Sequence, residues 1–359
     1  MSPHLFVDIS SHGFGHLGQV APVLAALRQR LPNLHLTVRC GLAKRQLLTR
    51  IDEPFTHIRE TSDTGFIQHD ALHIDHQATR EAYERAHADW PDRLAQEAAF
   101  FRRLQPTLVL SDVAYLPLAG AALAGIPALA MSSLNWLDVA RHYYGRDAWV
   151  QTLLTQMAEA YAAARGFIAL TPHMSVPGDV MSLPVGPVAR LATAEAGAAA
   201  RQALDILPSQ KAVLVAMGGF DLDLSVDHWP VREDLVYLLP EAWDCGLDNV
   251  RHYSAVDHEF TALLRGADAV LTKPGYGTFV EAACAGTPVL YLPREDWPEQ
   301  PTLIHWQETV GRCRAVSRDT LASGDWVADL AALLTQPAKP PVSPTGIDEA
   351  VDLLLPYLG

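Results

Sequence analysis

The segment 269–301, AVLTKPGYGTFVEAACAGTPVLYLPREDWPEQP, constrains what this chain can fold into more than any other. The apolar run 269–272 has the length of a strand. Pro274, Gly275 and Gly277 break it. Thr278 is the expected cap of a helix reaching Ala285, and Gly286 with Pro288 stops that helix. A second buried strand follows at 289–292. A glycine loop that opens a helix at the carboxyl end of a parallel strand offers backbone N–H groups to an anion, usually a phosphate. Glu281 lies one turn beyond Thr278 on the same helical face, where its carboxylate can reach paired hydroxyls such as a ribose diol. The plainer reading is a tight βα turn with a surface glutamate. The ordered set Lys273, Gly275, Gly277, Thr278, Glu281 and a following acidic loop weighs against that reading, as a lone GxG would not.

The rest of the chain has a matching rhythm. A strand is expected at 5–9, then the loop SSHGFGH, then a helix at 17–31. Val20, Leu24, Leu27 and Leu31 keep one apolar face on that helix. Pro32 and Asn33 end it before a strand at 34–38. This βαβ start predicts a parallel sheet. A third strand is expected at 55–58, and 60–76 reads as a long polar loop. Helix is expected over 78–104 with a break at Trp90–Pro91, around 120–125 and over 147–165; strands at 107–110, 128–131 and 167–170 alternate with them. Pro172, Pro177, Pro184 and Pro187, with Gly178 and Gly186, place an interdomain connection at 171–192. A second α/β set follows, with helix at 193–207, strand at 212–217, helix at 259–265, and later helices at 326–334 and 347–358. The expected organisation is one Rossmann-like domain over 1–180, a second over 181–345, and a terminal helix at 346–359 that docks back on the first. Two such halves put a cleft between two rows of strand ends, where folds of this kind bind ligands.

Composition narrows the function. The chain of 359 residues carries a formal net charge of −14, which argues against a non-specific nucleic-acid binder and against attachment to anionic lipid. Its 4 cysteines are scattered without a CxxC, so neither a zinc site nor a disulfide framework is expected, and a reducing cytoplasm is the default. Asp8, His12 and several glycines interrupt the N-terminus too early for a signal peptide. The uncharged stretch 113–137 is long enough to span a bilayer, but Pro117, Gly120, Gly125 and Pro127 divide it into a helix and a buried strand. His69, Asp70, His73, Asp75 and His76 lack the spacing of a known metal site and read as a surface or acceptor-facing loop, so no metal is assigned.

Several residues are candidates for chemistry. Gly13 and Gly15 let backbone approach a ligand closely and are candidates for nucleotide-sugar binding. His16 opens the following helix, whose N-terminus lowers a histidine pKa and favours the neutral base; the plainer reading is a turn-capping histidine. Asp112 ends the strand LVLSD on the same sheet edge and could orient that imidazole, or simply cap the next helix. Gly218 and Gly219 follow the strand VLVAM and suit a diphosphate approached by backbone, or a plain turn. Arg294, Asp296 and Glu299 surround the loop after the next strand. They could be a solvated charged loop or contacts to sugar hydroxyls and phosphate.

Taken together, GFGHLGQVAPVLAAL, LVLSDVAYLPLAGAALAGIPAL and KPGYGTFVEAACAGTPVLYLPREDWPEQP resemble, in order, the glycine–histidine motif, the segment carrying the base's aspartate partner, and the donor-binding segment of GT-B glycosyltransferases. The pattern is most similar to the glycosyltransferase-like N-terminal region of L-arabinokinase-type proteins, with its GHGFGH, KxGYGTxxEA and R-x-D-x-x-x-E signatures. No sugar-kinase domain follows in this sequence, so kinase activity is not implied. The plant-type donor box is not reproduced in full, which leaves the donor base and sugar open. The resemblance implies two Rossmann-like, doubly wound parallel-sheet domains. It implies transfer, with inversion, from a nucleotide-diphosphate sugar, with UDP expected, to an unidentified acceptor. His16 would be the base and Asp112 would hold its tautomer. Gly218, Gly219, Gly275, Gly277 and Thr278 would bind the diphosphate, with Lys273, Arg294 and Glu299 beside it. Glu281 would bind the ribose and backbone near Val256 the base. No cofactor or metal beyond the donor is expected. A nucleotide-sugar hydrolase of the same fold is the alternative, since the pseudaminic-acid-pathway hydrolase is similar in its GFGH loop and in a strand ending MGG before an Asp. A non-catalytic sugar-nucleotide-binding protein is a third reading.

Overall fold

The computed structural model describes the whole chain except residues 1, 71, 219–221, 223, 244, 257 and 295 and the side chain of residue 255. The chain forms two compact units: Met1–His69 with Ile74–Val188 and Thr345–Gly359, and Ala189–Pro344 with Asp70–His73. Each is built on one parallel sheet.

The first unit holds β1 (His4–Asp8), β2 (His35–Arg39), β3 (Thr56–Ile58), β4 (Leu108–Ser111), β5 (Ala128–Ser132), β6 (Phe167–Leu170) and β7 (Ser182–Val185). Their order is β3-β2-β1-β4-β5-β6-β7, every pairing parallel. Near-continuous apolar runs such as Leu5–Phe6–Val7 and Leu108–Val109–Leu110, all 0% exposed, are what a sheet covered on both faces requires. β7 lies inside the stretch 171–192 expected to be an interdomain connection. Proline-rich sequence had hidden it. Pro184 is tolerated because β7 is the edge strand, where a missing N–H need not be paired. The helix Gly346–Leu358 belongs to this unit, and the Glu349 carboxylate accepts the Gly186 N–H at 2.6 Å.

The second unit holds β8 (Lys211–Ala216), β9 (Leu235–Leu239), β10 (Val250–His252), β11 (Ala269–Thr272), β12 (Val289–Tyr291) and β13 (Cys313–Ala315), in the order β10-β9-β8-β11-β12-β13, again all parallel. Trp229, Tyr237 and Trp326 pack edge-on and tilted at 4.8–5.6 Å to anchor one face. Among the described residues no helix is long and apolar enough to cross a membrane.

In both sheets the chain runs outward from one strand in one direction and then returns to the other side. The reversal falls between β1 and β4 in the first unit and between β8 and β11 in the second. In open α/β sheets the crevice beyond the strand ends at such a reversal is where ligands bind. The described candidate residues cluster at or beside these two places, except Val256.

Candidate functional site

In the first unit, Asp8 at the end of β1 pairs in register with Ser111 at the end of β4. The next residue, Asp112, is anchored by its own N–H, which donates to the Asp8 carbonyl at 2.9 Å. Beyond β1 the chain turns at Gly13, whose φ of 88° is a left-handed value that a side chain disfavours. The helix Phe14–Arg30 begins there with no side-chain cap. His16 sits in its first turn. Its Nδ1 lies 2.8 Å from Asp112 Oδ2, with His16 5% and Asp112 0% exposed. The 2.8 Å contact turns Nδ1 to the carboxylate, so Nε2 is the nitrogen left for proton exchange. A buried carboxylate on Nδ1 also stabilises the imidazolium that forms when Nε2 takes a proton. Among the described residues, a Cβ built on Gly15 would meet nothing within 4 Å beyond its chain neighbours and its own helix backbone, so the helix offers an open face one residue before the histidine.

The imidazole is walled by aromatic rings. The fully buried Trp136 is 5.9 Å from it and 5.2 Å from the His12 ring. His12 Nε2 is 2.7 Å from the Phe66 carbonyl, which fixes that nitrogen as the donor. His12 is thereby a structural brace between the glycine loop and the segment around Phe66.

In the second unit, Ala216 and Thr272 pair at the ends of β8 and β11, and Thr272 Oγ1 donates to the Ala216 carbonyl at 2.6 Å. Gly218 follows β8 with φ of 75°, and a Cβ there would meet Lys273 Cε at 3.4 Å and Nζ at 3.8 Å. The Lys273 amine is therefore laid along the glycine turn. Gly219 lies outside the described residues. After Lys273 the helix Tyr276–Ala285 opens at Gly275, an extended N-cap without a side-chain cap. This corrects the expectation that Thr278 caps the helix. With the cap at Gly275 the first turn begins three residues earlier, and Thr278 becomes its third residue, with its N–H and that of Gly277 directed out of the helix end. That geometry and the helix dipole favour an anion.

Arg294 and Glu299 are not a solvated loop. Both are 4% exposed. Arg294 stacks over Trp297 with its guanidinium carbon 4.1 Å from the ring centre, and Trp297 Nε1 donates to Glu299 Oε2 at 3.2 Å. The Gln300 side chain brackets the Arg294 backbone, accepting from its N–H at 2.7 Å and donating to its carbonyl at 3.1 Å. Burial and the nearby Arg294 pull the Lys273 amine down to about 7, with Glu299 opposing. Two cations from neighbouring strand ends, β11 and β12, are thus held in each other's field beside a helix N-terminus. Glu281 is 5% exposed on the helix, and with burial it helps to push the Cys284 thiol up to about 12. It is a buried carboxylate and not a surface one. Val256 lies past β10, two strands from β8 and so roughly 10 Å to the side at the ordinary strand spacing; its carbonyl accepts the His258 N–H at 3.0 Å.

The histidines of 69–76 do not converge. His73 binds Asp70 at 2.8 Å, His69 is 3.6 Å from Asp75, and His76 bonds Tyr144 at 3.0 Å.

No family model matches the chain. L-arabinokinase of Arabidopsis thaliana is 26% identical over 332 residues, 89% of this chain but only 31% of that protein, so the chain spans about a third of the curated relative it matches. CalG4, the calicheamicin glycosyltransferase, superposes with a TM-score of 0.64 over 100% of this chain and 99% of its own, at 16% identity. The fold is GT-B. A UDP-N-acetylglucosamine 2-epimerase superposes with a TM-score of 0.56 over 99% of this chain and 97% of its own, at 14% identity. The GT-B fold therefore supports nucleotide-sugar chemistry of more than one kind, and the reaction has to be argued from the residues at the two sheet reversals.

Three features of this GT-B chain lie outside the sequence motifs. Asp63 accepts hydrogen bonds from Ser10 Oγ at 2.7 Å and Trp136 Nε1 at 2.8 Å. Ser10 N–H donates to Asp112 Oδ2 at 3.3 Å. Beneath the dyad, Arg39 binds Asp8 through Nε and Glu97 through both terminal nitrogens, all three residues at most 8% exposed. Asp63 and Glu97 sit in stretches whose local pattern gives no hint of a partner.

Proposed function

We propose that this protein is a glycosyltransferase that moves a sugar from a nucleotide-diphosphate sugar, with UDP the expected nucleotide, to an acceptor hydroxyl or equivalent nucleophile. The observation that carries the reading is the buried 2.8 Å pairing of His16 with Asp112 at the sheet reversal of a GT-B chain. His16 Nε2 takes the acceptor's proton while the acceptor oxygen bonds to the anomeric carbon. The bond from that carbon to the diphosphate breaks, and the electron pair leaves with the diphosphate, inverting the centre. Lys273, Arg294 and the N–H groups opening the helix at Gly275 supply positive charge where the leaving group gains negative charge. These groups perform that electrostatic task without a divalent ion in this reading. Glu281 holds the ribose hydroxyls and the backbone near Val256 the base.

A thermal-shift panel of nucleotide sugars tests the donor class, because a ligand at a hundred times its Kd adds roughly 2.7 kcal/mol of stability. Incubation of UDP-glucose with and without acceptors then separates transfer from hydrolysis. Rapid UDP release with no acceptor present would make water the natural nucleophile.

Two binding predictions follow from the second unit. Glu281→Ala should weaken UDP binding by about 1.5–3 kcal/mol, the worth of hydrogen bonds to a charged group. Unchanged affinity by calorimetry in a folded variant removes Glu281 from the site. The second concerns Lys273. With its amine pulled down to about 7, it is part neutral at physiological pH. An anionic ligand favours the ammonium, so binding takes up a proton and affinity falls as pH rises through 7 and beyond. UDP-glucose is the suitable probe, since its diphosphate, esterified at both ends, does not titrate there. Calorimetry in buffers of different ionisation enthalpy should register proton uptake in the wild type and lose it in Lys273→Met. Equal uptake in both proteins assigns the proton elsewhere.

A further inference from the structure

We propose that Asp63 is a second carboxylate serving His16, a positioning residue that fixes the loop carrying the histidine and stabilises the charge His16 acquires. The proposal rests on the reading of His16 as the base.

Asp63 comes from the polar loop 60–76, for which the sequence offers no role. One of its oxygens, Oδ2, gathers two donors from different elements: the Ser10 hydroxyl at 2.7 Å and the Trp136 indole N–H at 2.8 Å. Ser10 is also tied on its other side. Its N–H donates to Asp112 Oδ2 at 3.3 Å, and its Oγ accepts the His12 N–H at 3.2 Å. Ser10 is therefore stretched between the two carboxylates, and the start of the glycine loop cannot shift without breaking one of these bonds. Trp136 is held at its nitrogen, and its buried ring packs against both His12 and His16. A single carboxylate thus sets the chain just before His16 and the wall beside it. Asp112 already orients Nδ1, so orientation alone does not account for a second acid here.

The charges around Asp63 support an electrostatic share. Burial leaves the Asp63 carboxyl above its ordinary value, with the Asp112 charge adding to the rise, while the Ser10 and Trp136 bonds and the His16 charge oppose it, which puts His16 and Asp63 in each other's field. Other ionisable groups also lie nearby: the His12 ring is 6.4 Å from that of His16, with its Nε2 on the Phe66 carbonyl. Asp8 is engaged by Arg39 and Ser62, Arg93 donates to the Ser62 carbonyl at 3.4 Å, and the hydroxyls of Tyr83, Tyr115 and Tyr161 are pushed up by burial and stay neutral.

The test is the protonation midpoint of His16, read from its ring C–H resonances by NMR and assigned by their loss in His16→Gln. Removing a negative charge disfavours the imidazolium, so Asp63→Asn should lower the midpoint by about one pH unit, the low end for an opposite charge nearby. Asp63→Glu should restore most of it. Should Asp63→Asn not fold, Ser10→Ala keeps both carboxylates but makes Asp63 hold its proton more tightly, and the midpoint should fall in the same direction by less. A midpoint that stays put in whichever of these variants folds, while the melting temperature drops, makes Asp63 merely structural and overturns the proposal. UDP release from UDP-glucose separates the two ideas. If His16→Ala releases UDP undiminished, the base reading falls and this proposal with it. If His16 is required and the midpoint is unmoved, only the role of Asp63 falls.

Discussion

His16→Ala should lower kcat by about 10²–10⁴, the usual span for the loss of general-base help, with donor affinity little changed because most of the donor-binding candidates lie in the second unit. Asp112→Asn should also lower kcat. An amide in place of the carboxylate no longer stabilises an imidazolium and can present its NH2 to Nδ1, which favours the wrong tautomer. The two residues touch at 2.8 Å and act on one proton. The double variant should therefore cost little more than His16→Ala alone, since groups acting as a unit are not additive. Turnover should fall on the acid side as the imidazole takes a proton before the acceptor arrives. Steady-state kinetics of the four proteins decide it. Losses that multiply in full, or wild-type turnover in His16→Ala, would dissolve the dyad. His12 would then be the next histidine to try, but only after its bond to the Phe66 carbonyl is broken.

The pairing of His16 with Asp112 was legible in sequence because Asp112 directly follows β4 and His16 lies in the first helical turn after β1 of a parallel sheet. A strand that ends in LVLSD and a strand followed by SSHGFGH each announce where their last residues point. The sheet order puts β1 beside β4, and the turn at Gly13 brings His16 back to Asp112. The second unit was legible for the same reason. The glycine break at Pro274–Gly277 marks a strand-to-helix turn, whatever residue caps it, and Lys273 precedes that turn. What could not be read was anything whose partner is set by tertiary packing alone. Arg294 and Glu299 look like solvent-facing charges in the string PREDWPEQP. Their burial depends on Trp297 lying across Arg294 and on Gln300 folding back over its backbone. β7 and β13 are short edge strands with weak patterns, Ser182–Val185 because of its proline and Cys313–Ala315 because only the pairing with β12 defines it. Asp63 is the extreme case. Its loop has no periodicity, and both of its donors are more than fifty residues away in sequence.

The buried network beneath the dyad gives the largest expected effect on stability. Arg39→Met should destabilise the first unit by about 3–5 kcal/mol, because it strands Asp8 and Glu97 as buried carboxylates without their shared cation. Burial pushes Asp8 up to about 6 even with Arg39 in place. Its folded value lies above the ordinary 3.8, so this carboxyl favours the fold fully on the acid side and that contribution is lost as pH rises through about 6. Without Arg39 the Asp8 carboxyl should rise further. The penalty of Arg39→Met should then be smaller at pH 5, where Asp8 can hold a proton, than at pH 8. Replacing all three residues by apolar side chains of similar volume should cost less than Arg39→Met alone, since no charge is left unpaired. Hydrogen exchange of the Phe6 and Val7 amides in β1 reads the effect locally, which matters in a chain of two units where one global unfolding free energy is not defined. The consequence reaches the chemistry through one bond. The Asp8 carbonyl accepts the Asp112 N–H at 2.9 Å, so a β1 end loosened by two repelling carboxylates also loosens the aspartate that orients His16. Arg39→Met measured at a temperature where the protein remains folded should therefore lower kcat more at pH 8 than at pH 6.5. A loss of protection in β1 that is the same at pH 5 and pH 8 would show that Arg39 stabilises by packing on Phe6 and Phe100 and not by neutralising the two acids.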